Sequence, residues 1–303
     1  MHLKQIATVS ALVVNNTMNK VTIEPNKHIA FIIQPRSGSS VLRQYLSQLL
    51  NYNNFGELLN HHVNTVEMEI KNNEIVNIKH PDTKTRPSKD LTNDDLTLRS
   101  YNNLNTLTQL TEIKKYCVFT VLVRSFHDRG PDILTKLKER DDIQFIRQER
   151  ADVLYAILST IMSLQTDDFH NTDPTIIKKR ELKRGKLNID GIMNFLNTYV
   201  EERKLIKEYF PDIPVIYYEQ FQMSPAKMMD MFDGIPKKLL SLSLSKFADN
   251  YKDKEIVTNI DEIEDLYEQF VNDNIEYFPQ YSGEHQITIP AHQGRQPKIL
   301  LPY

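Results

Sequence analysis

A central parallel β-sheet flanked by helices, an α/β fold, is the class this sequence predicts. Four apolar runs, "IAFIIQ" (29–34), "CVFTVLV" (117–123), "IQFIRQ" (143–148) and "VIYYE" (215–219), are short and continuous, as in strands covered on both faces. Helical patterns stand between them at 40–50, 102–115, 131–140, 150–165 and 190–209. Strands that alternate with helices argue for parallel crossovers.

A chain of 303 residues without an internal repeat or low-complexity linker is read as one domain over 1–303. Two insertions interrupt it. Around 64–82, "VEMEIKNNEIVNIKH" alternates about "KNNE" as a β-hairpin would. Around 166–190 a polar loop with Pro and Gly precedes the next helix, a length that often carries function. Residues 281–303 read as an extended tail. The N-terminal "IATVSALVV" is too short to span a bilayer and lacks signal-peptide flanks, so a strand is expected there.

Bulk numbers narrow the function classes. A net charge of -3 gives no global basic field, which argues against a nucleic-acid partner. The single cysteine, Cys117, lies inside an apolar run, so an internal disulfide is excluded and a buried strand position is expected. No run is long enough for a membrane span, and a cytoplasmic protein is expected.

The chemistry concentrates after the first strong strand, in "QPRSGSS" (34–40). Helix N-termini carry unsatisfied N–H groups and the positive end of the dipole. Small residues let those amides approach an anion; Ser37, Ser39 and Ser40 add hydroxyls, Gly38 the tight turn and Arg36 a charge. Together they form a phosphate cradle. The nucleotide-triphosphate loop needs Gly, four residues, then Gly-Lys-Ser/Thr; here the early Gly and the Lys are absent.

"QPRSGSS" resembles the 5'-phosphosulfate loop of sulfotransferases, Pro-(Arg/Lys)-Ser-Gly-(Ser/Thr)-(Ser/Thr). Further segments resemble that family in order along 29–270. "IQFIRQERADVLYAILS" is similar to its strand ending in Arg and the helix after it, which bind the 3'-phosphate. Arg147 matches the Arg, but the family's Ser falls on Tyr155 and the nearest Ser is Ser159. Either hydroxyl would substitute, or Arg147 and Arg150 would hold the phosphate. "VIYYEQF" and "IVTNIDEIEDL" resemble its late strand and C-terminal helix start, with Tyr218 and Glu219 structural.

The resemblance implies a P-loop NTPase-like sulfotransferase fold. It also implies 3'-phosphoadenosine 5'-phosphosulfate (PAPS) as co-substrate, 3'-phosphoadenosine 5'-phosphate (PAP) as product, and no metal. The acceptor would be a hydroxyl of a carbohydrate or other small molecule. Arg36 would meet the leaving oxygens. Two residues compete as general base: Glu57 in "NNFGELLNHH", preferred because Glu-base branches place a Glu shortly after the first helix, and His127 in "VLVRSFHDRG". His61 and His62 read as solvated loop residues. Arg124 at a strand end, the basic run 178–186 and Arg295 are lesser candidates for anion contacts. Two alternatives stay open. One is a small-molecule or nucleotide kinase, which would need Mg and the missing Lys. The other is a non-catalytic nucleotide-binding protein of the same fold.

Overall fold

The structure, a computed structural model, describes residues 20–57, 67–79, 93–123, 131–166, 185–221, 224–238, 240 and 257–282. The chain divides into two compact units. The larger comprises Asn19–Glu149 and Glu201–Leu242; the smaller comprises Met1–Met18, Arg150–Val200 and Ser243–Tyr303.

In the larger unit, β1 (Val21–Thr22) pairs with the late strand β9 (Phe232–Asp233). The main sheet is built from β2 (His28–Ile33), β3 (Asn53–Asn54), β6 (Cys117–Leu122), β7 (Ile143–Glu149) and β8 (Val215–Tyr217). Their order across the sheet is β3-β6-β2-β7-β8, and every pairing is parallel. The expected α/β class with a central parallel sheet is therefore present. All six residues of β2 are buried, which explains why its sequence shows no alternation.

Alternate side chains of these strands feed two layers. Ala30 and Ile32 of β2 join Cys117, Phe119 and Val121 of β6 on one face. There they meet Leu104, Leu107 and Leu110 of α2 (Asn93–Glu112), Ile133, Leu134 and Leu137 of α3 (Pro131–Lys138), and Ile206 and Phe210. Each fully buried leucine contributes about 1.5–3 kcal/mol. Against β2, β3 and β6 also packs α1 (Ser39–Leu50), through a stripe of Val41, Leu42, Tyr45 and Leu46. Its spacing of i, i+1, i+4, i+5 is that of one helical face.

The expected hairpin is present as β4 (Glu67–Lys71) against antiparallel β5 (Glu74–Lys79). Its turn residues Asn72 and Asn73 both take positive φ, 53° and 61°, the backbone that a tight two-residue hairpin turn requires. Three boundaries differ from expectation. The strand read over 215–219 stops at Tyr217, and Tyr218–Phe221 form a short helix, α6. Apolarity alone cannot distinguish a strand end from a buried helical turn. Helix α2 begins at Asn93, nine residues before 102, because "NDDLTLRSY" carries no apolar stripe to reveal it. The helix expected from 150 starts at Val153, with Asp152 before it.

The smaller unit is helical where described. It contains α4 (Val153–Thr166), the start of α5 (Ile189–Tyr209), α8 (Ile260–Asp273) and α9 (Pro279–Ser282). Its core joins Leu154, Leu158, Ile192, Leu196, Ile263 and Phe278. Asn259, just before α8, accepts from Leu187 N–H and donates to Leu187 C=O. That bond pair explains an Asn at this helix start. A further helix, α7 (Pro225–Met231), belongs to the larger unit and is capped by Ser224. Among the described residues no helix is long and apolar enough to cross a membrane.

Candidate anion-binding site

Parallel strands place all their carboxyl ends at one edge of the sheet, and ligands settle where neighbouring connections leave in opposite directions. Here the chain leaves β2 toward β3 on one side, while β7 leads to β8 on the other. The switch point therefore lies between the ends of β2 and β7. The segment that fills it is 34–38.

That segment has an unusual backbone. Arg36 has φ 64° and Gly38 has φ 83°, with Ser37 between them at negative φ. Left-handed residues bracketing an ordinary one turn successive N–H groups into a single concavity, an anion-binding nest. The nest opens directly into the N-terminus of α1, where Gly38 is the cap residue and has no side chain with which to cap the first amides. Ser37 is 2% exposed, and its Oγ has no hydrogen-bond partner among the described residues. Leaving a buried hydroxyl unsatisfied costs about 1–3 kcal/mol. Such a group is what a site awaiting a ligand would carry.

Two contacts that the sequence reading missed brace this loop. Gln148, fully buried on β7, donates from Nε2 to Ser37 C=O at 2.8 Å. The Tyr218 ring lies against Gly38 so closely that a Cβ there would stand 2.5 Å from Cδ2. Glycine is needed at 38 for both φ and space. The register Ile33↔Gln148 brings the first contact together; nothing in the sequence announces either.

Arg147, expected at a 3'-phosphate, points to the other face of β7. It shares a face with Glu149 two residues on and pairs with its carboxylate, which Arg203 of α5 also holds. Glu149 and Arg203 are 1% and 4% exposed. Nearby, Gln34 Nε2 donates to Glu202 Oε2 at 3.0 Å. The period-2 pattern of "FIRQE" could have placed Arg147 and Glu149 together.

Glu57 follows β3 by three residues, and β3 is two strands from β2. Adjacent strands stand about 4.8 Å apart, so Glu57 lies on the side of the site toward the sheet edge. Its electrostatic partner is Arg43 of α1. Arg43 Nε donates to Asn54 Oδ1 at 2.7 Å and Nη1 to Thr120 Oγ1 at 3.0 Å. Thr120 Oγ1 in turn donates to Gly56 C=O. Burial lowers the Arg43 pKa from its ordinary value, and Glu57 opposes that shift. The helix that begins at the anion loop thus also holds the segment carrying Glu57.

In the smaller unit, Tyr155 N–H is capped by Asp152 Oδ1 at 3.0 Å, and the Arg150 guanidinium lies over the Tyr155 ring. Ser159 is buried further along α4. A carboxylate of 1% exposure at the N-terminus of α4 already supplies the negative charge that this helix end attracts. His127, Arg124, His61, His62 and Arg295 lie outside the described residues, as does most of the run 178–186. The N-terminal strand expected at 6–14 and the tail beyond 282 also lie outside them.

No family model matches the chain, and no curated protein or solved structure does either.

Proposed function

We propose that the protein is a sulfotransferase that moves a sulfuryl group from PAPS to a hydroxyl of a carbohydrate or other small molecule. One observation carries this reading. "PRSGSS" sits at the switch point of a parallel sheet and folds as a nest around a buried serine whose hydroxyl has no partner among the described residues, at the start of a twelve-residue helix. The residues present fit the 5' end of the donor: N–H groups of the loop and α1 for the oxygens, Arg36 as a permanent cation.

In the reaction, an acceptor oxygen attacks sulfur while the bond from sulfur to the bridging oxygen breaks, and PAP leaves. The acceptor proton goes to Glu57, the preferred base, on the β3 side of the loop; His127 remains the alternative. A P-loop kinase is disfavoured by the missing Lys.

A second reading has a specific observation behind it. Arg147 is engaged by Glu149, and Asp152 caps α4. Neither feature favours a 3'-phosphate, which suits a nucleotide-binding protein that keeps only the 5' cradle. Incubation with PAPS and an acceptor panel, read by mass spectrometry, separates the two. A mass gain of one sulfuryl group on an acceptor is expected. PAP binding without any transfer across hydroxyl and amine acceptors favours the binding protein.

A further inference from the structure

The Ser37–Gly38 peptide is the place where the anion loop is most easily inverted. A trans peptide is planar, so its C=O and N–H point to opposite sides. Rotating this plane would exchange them and turn a carbonyl oxygen toward the bound anion. Glycine at the second position makes such a flip inexpensive, because it tolerates either backbone state. Something must therefore hold the plane, and the hydroxyl of Ser37 does not: Ser37 Oγ bonds to nothing among the described residues.

We infer that Gln148 is the positioning residue that holds the Ser37–Gly38 peptide in its anion-binding orientation. Its Nε2 donates to Ser37 C=O at 2.8 Å from a fully buried position. With that carbonyl drawn toward β7, the Gly38 N–H points the other way, into the nest. The register Ile33↔Gln148 sets the reach, since it places the amide beside the last residue of β2. Tyr218 packs against Gly38 and leaves little room for the loop to move as a body; the plane of the peptide is what Gln148 controls. Gln148 Oε1 has no partner among the described residues. The side chain is thus kept in the core for one bond, an arrangement that a packing role alone does not require.

This inference rests on the anion-loop part of the proposed function and not on the identity of the donor. The test uses Gln148→Leu, which keeps much of the volume and removes the donor, with calorimetry of PAP, adenosine 3'-phosphate and inorganic phosphate. Amide NMR of Gly38 during phosphate titration gives a second readout. Loss of one oriented hydrogen bond to a charged group predicts PAP binding weaker by about 10- to 100-fold. Adenosine 3'-phosphate, which lacks the 5' group, should bind as it does to wild type. A merely structural role would weaken both nucleotides alike, and that result overturns the inference. Equal PAP affinity in wild type and variant overturns it too, while leaving the donor reading standing. If wild type binds inorganic phosphate but not PAP, and the Leu variant loses phosphate binding and the Gly38 shift, the donor reading falls and the positioning role stands. If wild type binds neither, both fall.

Discussion

The two edges of the main sheet both bury polar groups, and they treat them differently. At the amino edge, His28 Nδ1 accepts from Cys117 N–H at 3.1 Å, which leaves the ring proton on Nε2, within reach of Leu107 C=O and Thr111 Oγ1. Thr111 donates to Asp142 Oδ2 at 2.6 Å, and Arg140 grips both oxygens of Asp142 while reaching Leu104 C=O and Thr108. This chain ties β2, α2, β6 and the start of β7 together, and its donors meet acceptors throughout. At the carboxyl edge, Ser37 Oγ, Gln148 Oε1 and Glu149 Oε2 lack partners among the described residues. A saturated cluster is structural. Of the unsaturated groups, Ser37 Oγ lies at the nest and has a proton to donate to an anion, whereas Gln148 Oε1 and Glu149 Oε2 are acceptors only, and Glu149 faces the other side of β7. The His–Cys proximity at the amino edge, 3.3 Å from Nδ1 to Sγ, therefore does not mark a nucleophile: Cys117 is fully buried, and burial pushes its thiol well above the ordinary value.

The largest expected effect tests which side of that division Arg147 belongs to. Removing one partner of a buried ion pair leaves the other charge uncompensated, at about 3–5 kcal/mol. Arg147→Met should lower the unfolding free energy from urea melts by up to that amount, short of the full figure because Arg203 still holds Glu149. An unchanged midpoint, together with a lost preference for PAP over adenosine 5'-phosphosulfate, would return Arg147 to the ligand.

The amino edge makes its own prediction through pH. Burial lowers the His28 pKa from 6.5 to about 4, against the raising influence of Asp142 and Leu107 C=O. Between those values the unfolded chain takes up a proton that the folded chain refuses. The stability is therefore complete above pH 6.5 and falls as the pH drops toward 4, by about 3 kcal/mol. Denaturation curves across that window should show the slope, and His28→Gln should flatten it. A variant with the wild-type slope would mean that other groups carry the acid sensitivity.

How much of this was legible follows from which signals a sequence carries. β2, β6 and β7 were readable because strands buried on both faces leave continuous apolar runs. The strand–loop–helix order around residues 34–40 was readable because an apolar run, a Gly-Ser turn and an amphipathic stretch follow one another. Arg36 in the left-handed region was not readable, since Arg carries no preference for it, and the nest exists only in three dimensions. Gln148 and Arg43 were missed for another reason: each acts through a partner distant in sequence, Ser37 for one and Thr120 for the other. Tyr218 was assigned a structural role without the means to see that it abuts Gly38.

Glu57→Gln keeps shape and removes basicity, so turnover should fall about a hundredfold while PAP binding persists. His127→Asn is its control. Turnover lost in His127→Asn and kept in Glu57→Gln would transfer the base to the histidine. The smallest effect concerns backbone strain. A left-handed non-glycine residue costs about 1–2 kcal/mol, so Arg36→Gly should be more stable than Arg36→Ala by roughly 1 kcal/mol, with transfer lost in both. Equal melting curves would remove the left-handed conformation at 36 from the description of the nest.

The central claim is that the loop at 35–40 holds the 5'-phosphosulfate of PAPS. Calorimetry of PAP against wild type and Arg36→Ala, beside ATP with and without Mg, tests it directly. The expected result is metal-independent PAP binding that weakens by about 10-fold or more in Arg36→Ala, through loss of a charge-assisted contact. Unchanged PAP affinity in the variant, or ATP binding that depends on Mg in the wild type, would contradict it.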